Sequence, residues 1–262
     1  MKDILADIIA NKRSEVAFQK QLVSLEQLQE GLFALPPTRS MKQALANSPT
    51  GIIAEFKRRS PSKEWIQQQA DPAVVAPAYE AAGASALSIL TDELFFGGTL
   101  HDIGTARPLV DLPILRKEFI IDEYQLYQAR LIGADAVLLI AAALSPEQCH
   151  ELAAKAQALG MEVLLELHCA DELNYISDHI DMIGINNRNL GTFHTDVENS
   201  FRLAELLPKE ALLVSESGIS APETVKQLRE AGFRGFLIGE TFMKTPQPGD
   251  ALREFVTSIT NG

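Results

Sequence analysis

The sequence predicts an α/β fold, namely a (β/α)8 or TIM barrel with an N-terminal helical extension. Three observations support this prediction. Short apolar segments alternate with helix-like segments along most of the 262 residues, and eight such apolar segments occur. The apolar segments are nearly continuous, as is typical of parallel strands buried on both faces. Glycine repeatedly separates a helix-like segment from the next apolar segment. Eight alternating units of this kind favour a closed barrel.

The eight predicted strands span residues 52–57, 86–90, 114–117, 136–140, 163–167, 182–186, 212–216 and 235–239. Before four of them, a glycine stands where a helix should end in the left-handed conformation: Gly83, Gly133, Gly160 and Gly232. Prolines mark three helix starts, where the missing N–H costs nothing: Pro72, Pro146 and Pro222. A doubly wound open sheet is the structural alternative, but its usual G-x-G-x-x-G after the first strand is absent.

Residues 1–48 are predicted to form a helical extension packed on a single barrel domain, which comprises residues 1–262. Apolar residues at helical spacing indicate one amphipathic helix and a second, shorter one: Leu5, Ile8, Ile9 and Val16, then Leu22, Leu25 and Leu28. Pro36 and Pro37 separate these helices from the rest of the chain. The extension either covers the active face or plugs the bottom of the barrel, and we favour the cover.

The charge and cysteine content restrict the function classes. A formal net charge of −12 makes nucleic acid and anionic membranes poor partners, because phosphate-rich surfaces bind basic faces. Two cysteines without CxxC spacing imply no disulfide framework. The sequence shows neither a signal peptide nor a run of 18 apolar residues. We therefore expect a cytoplasmic protein that binds neither membranes nor nucleic acid.

Charged residues end most of the odd-numbered strands, where an apolar barrel would not need them. In this fold the chemistry lies at the carboxyl ends of the strands. Acids and bases balance within the set, which favours partial burial, and such a ring suits proton transfer at a carbonyl and a carboxylate. Any one of them alone could be a structural ion pair. The set comprises Glu55, Lys57, Lys117, Glu166, Arg188 and Glu216.

Small residues after the last two strands indicate a phosphate site. Ser217-Gly218 follows strand 7 and Gly239-Glu240 follows strand 8. Backbone N–H groups exposed at these two turns commonly bind phosphate in barrels. The alternative is a pair of ordinary tight turns.

Five sequence stretches resemble the indole-3-glycerol-phosphate synthase family of tryptophan biosynthesis, in its monofunctional form. The resemblance runs from about residue 4 to the C-terminus, and the first stretch is highly specific. The stretches are 53–62 (IAEFKRRSPS), 90–92 with 96–98 (LTD and FGG), 113–119 (PILRKEF), 184–190 (GINNRNL) and 215–219 (SESGI).

The resemblance implies a carboxy-lyase that converts 1-(2-carboxyphenylamino)-1-deoxyribulose 5-phosphate into indole-3-glycerol phosphate without cofactor or metal. It makes Lys117 the general acid, Lys57 the residue beside the substrate carboxylate, and Glu55 and Glu166 the acid/base carboxylates. The remaining site residues come from the same resemblance. Ser60, Asn186, Arg188, Glu216 and Ser217 would bind substrate, Phe96 and Phe119 would flank its aromatic ring, and Ser217, Gly218, Gly239 and Glu240 would lie at the phosphate.

Three positions depart from the family pattern without removing a catalytic residue. Glu240 stands where serine is frequent, so we expect it to contribute its N–H and turn its side chain away from the phosphate. Lys63 replaces a frequent glycine, and Asn187 replaces a common serine.

Three other functions are weighed against this one. Phosphoribosylanthranilate isomerase, another phosphate-binding barrel, relies on a cysteine early in the chain, but Cys149 and Cys169 are not at the end of strand 1. A metal-dependent barrel would use Glu166 and His168, but the other histidines show no ligand spacing. A non-catalytic phosphate-binding protein would not need the lysine–glutamate ring. We expect a monomer.

Overall fold

The computed structural model describes residues 4–33, 35–189 and 194–261. Eight parallel strands form a closed barrel in chain order, with the last strand paired to the first. The predicted barrel is thus confirmed. The strands are β1 (Ile52–Phe56), β2 (Ala86–Leu90), β3 (Ile114–Lys117), β4 (Ala136–Ile140), β5 (Glu162–Leu167), β6 (Met182–Asn186), β7 (Leu212–Glu216) and β8 (Phe233–Ile238). Leu190, which ends one quoted motif, and residues 1–3 of the extension lie outside the described residues.

Three strands differ slightly from their predicted limits. β1 ends at Phe56 rather than at Lys57, and β5 begins one residue earlier than predicted, at Glu162. β8 is displaced by two residues at its start and one at its end, and its pairing with β7 shifts register between Phe233 and Gly235. Ladder pairing, which composition does not reveal, determines these limits.

Helices and short turns surround the strands. An antiparallel ribbon (Arg59–Ser60 with Glu64–Trp65) follows β1. In the described residues, no helix is both long and apolar enough to cross a membrane. The helices outside the N-terminal extension are α4 (Pro72–Ala81), α5 (Glu93–Phe96), α6 (Leu100–Ala106), α7 (Glu123–Leu131), α8 (Pro146–Ala158), α9 (Glu198–Ala204), α10 (Pro222–Glu230), α11 (Glu240–Met243) and α12 (Pro248–Thr260), with 3-10 turns at Arg107–Leu109, Ala141–Ala143 and Ala170–Tyr175.

Alternation along each strand divides the core into two layers. Residues such as Ile52, Ala54 and Phe56 face the surrounding helices, whereas Ile53 belongs to the cluster inside the barrel. Because side chains alternate between faces, Glu55 also points into the lumen. The same alternation applies to β3, where Leu115 lies in the inner cluster. The lumen is therefore apolar near the amino ends of the strands and charged near their carboxyl ends.

The N-terminal extension contributes to both ends of the barrel. It contains α1 (Ile4–Leu22), α2 (Leu25–Gly31) and α3 (Met41–Asn47). The sequence indicated the first two helices only, since α3 is a single short segment with too few apolar repeats to detect. Met41 and Leu45 of α3 pack into the inner cluster beneath the lumen. Helices α1 and α2 lie against α7 instead, and α1 begins at the opposite, carboxyl end.

Replacing the apolar plug tests this arrangement. Leu45 is completely buried, so Leu45→Ala should lower the free energy of unfolding by about 2–5 kcal/mol through lost burial and a cavity. Activity per folded molecule should be unchanged, because the charged end of the lumen is distant. Urea titration and kinetics on the same sample would measure both. Leu206→Ala, at a side chain that is 56% exposed, is the control and should change stability by less than about 0.5 kcal/mol.

Candidate active site

A cavity of about 490 Å³ opens at the carboxyl ends of the strands. Every residue that the sequence analysis assigned to the site lines this cavity, and so do the first residues of α1. Strands β1, β3, β5 and β7 deliver Glu55, Lys117, Glu166 and Glu216, β6 delivers Asn186, and the adjoining loops supply the rest. The assigned residues at the cavity wall are Glu55, Lys57, Ser60, Phe96, Lys117, Phe119, Glu166, Asn186, Arg188, Glu216, Ser217, Gly218, Gly239 and Glu240.

One ammonium group joins two carboxylates at the centre of the lumen. Lys117 Nζ lies 3.2 Å from Glu166 Oε2 and also contacts Glu216 Oε2. At the end of β1, Lys57 Nζ donates to Glu55 Oε1 at 2.5 Å. Asn186 Nδ2 donates to the other oxygen of Glu166 at 3.1 Å. Carboxylates therefore position both lysines.

The carboxylates influence the protonation state of the centre. Burial lowers the pKa of Lys117, but Glu216, Glu166 and Glu55 outweigh it and raise that pKa well above its usual range. Burial also opposes ionisation of Glu166, yet Lys117 and His168 hold its pKa well below the ordinary value. For Glu216, burial raises the pKa against the attraction of Lys117, and the charge of Glu166 adds to the rise. The centre is consequently built to hold a charged lysine beside an ionised Glu166.

Glycines make room for these carboxylates in the lumen. A Cβ on Gly184 would collide with Glu216 Oε1, and a Cβ on Gly239 would collide with the side chain of Glu55. Gly184 lies within β6 and Gly239 directly after β8. Their absence of a side chain is thus part of how the site accommodates two buried acids.

His168 contacts the site residue Glu166 without lining the cavity, and the sequence analysis considered it only as a possible metal ligand. It follows β5, and its Nε2 lies 3.2 Å from Glu166 Oε1 while its Nδ1 lies 3.6 Å from Glu172 Oε2. Burial lowers the pKa of His168, but the two carboxylates outweigh it and raise that pKa to about 10. The E-x-H spacing at the end of β5 was the available signal. The fold adds Glu172, which makes His168 a second cation beside Glu166.

Apolar and aromatic side chains form one wall of the cavity. The rings of Phe96 and Phe119 lie with their centroids 5.9 Å apart. Ile4, Leu5 and Ile8 of α1 face the same cavity. The apolar part of the cavity can therefore enclose a planar aromatic group between two rings and an aliphatic helix end.

The opposite part of the cavity is polar and has a tight backbone turn. Ser217 and Gly218 both have positive φ angles, 67° and 78°. Asn187 fixes this turn, since its Nδ2 donates to the Ser217 carbonyl at 3.0 Å. Asn187 is therefore a support for the turn after β7, a role the sequence did not reveal.

Glu240 and Lys63, two of the departures from the family pattern, lie close together across the mouth of the cavity. Lys63 Nζ is 3.8 Å from Glu240 Oε1, and Arg188 Nη2 is 3.9 Å from Glu240 Oε2. Arg188 also donates to the Ser62 hydroxyl at 3.1 Å. The Glu240 side chain thus remains at the cavity wall between two cations, which offset its charge.

Comparison with known proteins identifies the family of the chain. The family model described as indole-3-glycerol phosphate synthase matches residues 5–255. The chain belongs to the indole-3-glycerol phosphate synthase family. A relative of that name from Bacteroides thetaiotaomicron is 73% identical and covers 99% of this chain and 100% of its own length. Another, from Acidithiobacillus ferrooxidans, is 44% identical and covers 97% of this chain and 98% of its own.

Solved structures with low sequence identity support the fold alone. The tryptophan synthase alpha subunit from Legionella pneumophila has a TM-score of 0.64 at 16% identity, covering 85% of this chain and 98% of its own. KGPDC from Streptococcus mutans has a TM-score of 0.63 at 14% identity and covers 82% of this chain and 99% of its own. The chain therefore shares its barrel with several kinds of protein but its sequence with the synthases.

The raised pKa of His168 predicts a pH-dependent contribution to stability. Its folded value of about 10 lies above an ordinary value near 6.5. The stabilisation that the charged His168 contributes should be complete below about pH 6.5 and should disappear as the pH rises towards 10. Urea unfolding at pH 6, 8 and 10 should therefore show a stability gap between wild type and His168→Gln that narrows with pH. The gap for His101→Gln, whose ring contacts Thr105 instead of a carboxylate, should not change; equal gaps at all three pH values for His168→Gln would contradict the assignment.

Proposed function

We propose that this chain catalyses the synthase reaction of its family, in which a 2-carboxyphenylamino deoxyribulose phosphate is closed to an indole. The observation that carries the proposal is the partly buried Lys117 ammonium held by the buried Glu166 and Glu216 carboxylates inside an open cavity. An ammonium in such a place can protonate a carbonyl oxygen as carbon attacks the carbonyl carbon. The apolar wall and the polar turn fit the two ends of the substrate.

In the proposed first step, Lys117 is the general acid. The aromatic carbon that bears the carboxylate attacks the sugar carbonyl carbon, a C–C bond forms, and the carbonyl oxygen takes a proton from Lys117. Because the carboxylates raise the pKa of Lys117, the lysine is charged before the reaction. The carbonyl oxygen needs to replace one carboxylate contact to receive the proton. Glu216 is the contact suited to yield, since burial already disfavours its charge.

The later steps use the Lys57–Glu55 pair. After ring closure, the C–CO2 bond breaks and its electrons neutralise the ring nitrogen cation. Dehydration then requires a proton on the departing hydroxyl group and loss of a proton from the neighbouring ring carbon. In this proposal Lys57, whose Nζ lies 2.5 Å from Glu55 Oε1, acts on the substrate carboxylate and the hydroxyl group. Glu55 and Glu166 share the acceptor role for the carbon-bound proton.

The two parts of the cavity hold the two ends of the substrate in this proposal. Phe96 and Phe119 flank the benzoate ring, and the turn at Ser217-Gly218 offers backbone N–H groups to the phosphate. The loop after β8 adds the backbone of Gly239 and Glu240. Ser60, Asn186 and Arg188 contribute polar groups between these ends. Helix α1 covers the site, since its first turns line the apolar wall.

We further infer a cytoplasmic, monomeric enzyme. Both cysteines are free, with Cys149 buried and Cys169 exposed, which fits a reducing compartment. Every group that the proposed reaction uses comes from one chain, so catalysis requires no second copy. Size-exclusion chromatography with light scattering would test the oligomeric state.

Formation of indole fluorescence from the non-indole substrate tests the function, and Lys117→Met tests its central step. The variant keeps similar length but cannot supply a proton, so kcat should fall by about 10²-fold or more. Lys155→Met, at an exposed lysine paired with Glu123, is the control and should retain wild-type turnover. A folded Lys117→Met enzyme within about tenfold of wild type would remove Lys117 from the role of general acid and transfer that role to Lys57.

Gly218→Ala should weaken substrate binding more than catalysis. The residue has a φ of 78°, and an added methyl group would meet the Thr195 side chain at 2.6 Å. The turn would shift away from the phosphate, and losing one hydrogen bond to a charged group costs about 1.5–3 kcal/mol. KM should therefore rise by about tenfold or more, with a smaller change in kcat.

Gly160→Ala is the matched control for backbone strain. Gly160 has a φ of 80°, but an added methyl group would meet no atom within 4 Å, and the residue lies between α8 and β5 at the far end of the barrel. The Gly160→Ala variant should lose stability without any change in KM. Equal KM values for the two variants would show that the turn does not hold the phosphate.

A further inference from the structure

A buried ionic cluster beside the cavity joins the N-terminal helix to two loops of the barrel, and one of its members, Glu118, also lines the cavity. Its centre is Lys12 of α1, whose side chain is completely buried. Lys12 Nζ lies 2.9 Å from Glu15 Oε2, 3.0 Å from Asp92 Oδ2 and 3.0 Å from Glu118 Oε1. Asp92 follows β2 and Glu118 follows β3. Apolar residues of the same volume often stabilise a protein as well as buried ion pairs do, so stability alone does not account for this cluster.

The two loop carboxylates hold the backbone of the aromatic wall. Asp92 Oδ1 accepts hydrogen bonds from the N–H groups of Phe95 at 2.8 Å and Phe96 at 3.3 Å. Glu118 Oε1 accepts from the N–H of Phe119 at 2.8 Å. Each carboxylate thus uses one oxygen to fix the peptide of an aromatic residue. Lys12 Nζ contacts Oδ2 of Asp92, the oxygen that does not accept from Phe95 and Phe96. It contacts Glu118 through Oε1, the same oxygen that accepts from the Phe119 N–H.

The cluster also adjoins Lys117. Glu118 is the next residue in the chain, and its second oxygen accepts from the Thr91 hydroxyl at 2.8 Å. Arg116, on the other side of Lys117, lies with its Nη2 3.6 Å from Glu118 Oε2. Both neighbours of Lys117 therefore belong to the outer cluster, while Lys117 itself points into the lumen.

We propose that Lys12 is a positioning residue, which sets the Phe96 and Phe119 walls and the end of β3 from outside the barrel. It touches neither the cavity nor the reacting atoms, and it acts through Asp92 and Glu118. This inference rests on the proposed function only for the identity of the substrate ring that would bind at Phe96 and Phe119. It makes α1 part of the catalytic apparatus in addition to a cover.

The charges around Lys12 explain why the ammonium is needed. Glu15 from α1, Asp92 from the β2 loop and Glu118 from the β3 end face it, and Arg116 lies beside Glu118, with its other nitrogens on Thr91 and Gln125. Burial lowers the pKa of Lys12, but Glu118 and Asp92 outweigh it, so the lysine stays charged. Without Lys12, the Asp92 and Glu118 carboxylates would be buried together with insufficient positive charge. They would separate, take up protons or admit water, and each change would move the peptides they hold.

The position of Lys12 in the sequence already indicates a buried role. Lys12 falls on the apolar stripe of α1, at helical spacing from Ile8, Ile9 and Val16, which are all buried. A lysine at such a position is rarely fully buried without a partner. Its two loop partners, Asp92 and Glu118, lie about 80 and 106 residues further along the chain (12 to 92 and 12 to 118), so only the fold brings them to Lys12.

Fluorine NMR of the full chain, with its 12 phenylalanines replaced by 4-fluorophenylalanine, tests the positioning directly. Phe96→Leu and Phe119→Leu assign the two signals. Lys12→Met should shift or broaden both of them, whereas the signals of Phe242 and Phe255, which pack on each other with centroids 5.5 Å apart, should remain. Lys20→Met is the matched control on the same helix, because its ammonium pairs with Asp122 at an exposed position, and it should leave all signals in place.

The kinetic consequence is a loss of both aromatic binding and turnover. We expect Lys12→Met to raise KM and to reduce kcat/KM by about 10²-fold, since displacement of about 1 Å can have that effect. Unchanged Phe96 and Phe119 signals together with unchanged kinetics would overturn the proposal. A wild-type protein that forms no indole would overturn the proposed function instead, and the fluorine spectra would still decide the role of Lys12.

Two milder variants keep the proposal testable if Lys12→Met does not fold. Asp92→Asn should move mainly the Phe96 signal, and Glu118→Gln should move mainly the Phe119 signal, because each keeps the other link intact. Selective shifts of this kind would support two separate connections, from Lys12 through Asp92 to Phe96 and from Lys12 through Glu118 to Phe119. Identical spectra for wild type and both variants, or the same general loss of dispersion in both, would overturn them.

Discussion

The site depends on a lysine ammonium that is kept charged between two buried carboxylates. Lys117 contacts Glu166 and Glu216 inside a barrel whose lower lumen is apolar. Removing charges from water is costly unless they balance each other and form good contacts. The glycines that make room for the acids, the amide of Asn186 and the ring of His168 all serve this balance. The resulting centre combines balanced charge with an opening to the cavity, as the proposed proton transfer requires.

The two ends of the barrel use the N-terminal extension in different ways. Helix α3 inserts Met41 and Leu45 into the lower lumen, where only apolar volume is needed. Helix α1 extends to the upper end, where it supplies an aliphatic wall and the buried ammonium of Lys12. One extension therefore packs against the base of the barrel and shapes the cavity at its top. Because separate helices make these two contacts, each can be altered without the other.

The polar end of the cavity shows how local charge can differ from the charge of the whole molecule. The chain carries a net charge of −12, yet Arg188 and Lys63 flank Glu240 at the cavity mouth. In the proposed binding mode, a dianionic phosphate would meet backbone N–H groups at the turn and two nearby cations. Glu240 is compatible with such a ligand because Lys63 stands opposite it. These two departures from the family pattern are therefore best understood as a pair.

Local sequence was sufficient to predict the barrel and the side chains at its strand ends. Buried parallel strands require continuous apolar segments, and glycines and prolines mark helix limits, so β1 to β8 were predicted nearly residue by residue. The charges of Glu55, Lys117, Glu166 and Glu216 were visible because they interrupt those segments. Alternation along a strand then placed them on one face. These are local properties, and a single sequence records them.

The pairing of these groups, in contrast, became apparent only in the folded chain. The contacts of Lys117 with Glu216, of Lys12 with Glu118 and of Lys63 with Glu240 join positions that are far apart in the chain. The role of His168 beside Glu166 was likewise hidden, since its charge depends on burial and on Glu172. Helix α3 was missed because one short helix has too few repeats to show a period. Electrostatic pairing depends on distance and burial, and both are set only when the barrel closes. Local sequence therefore does not reveal the pairs.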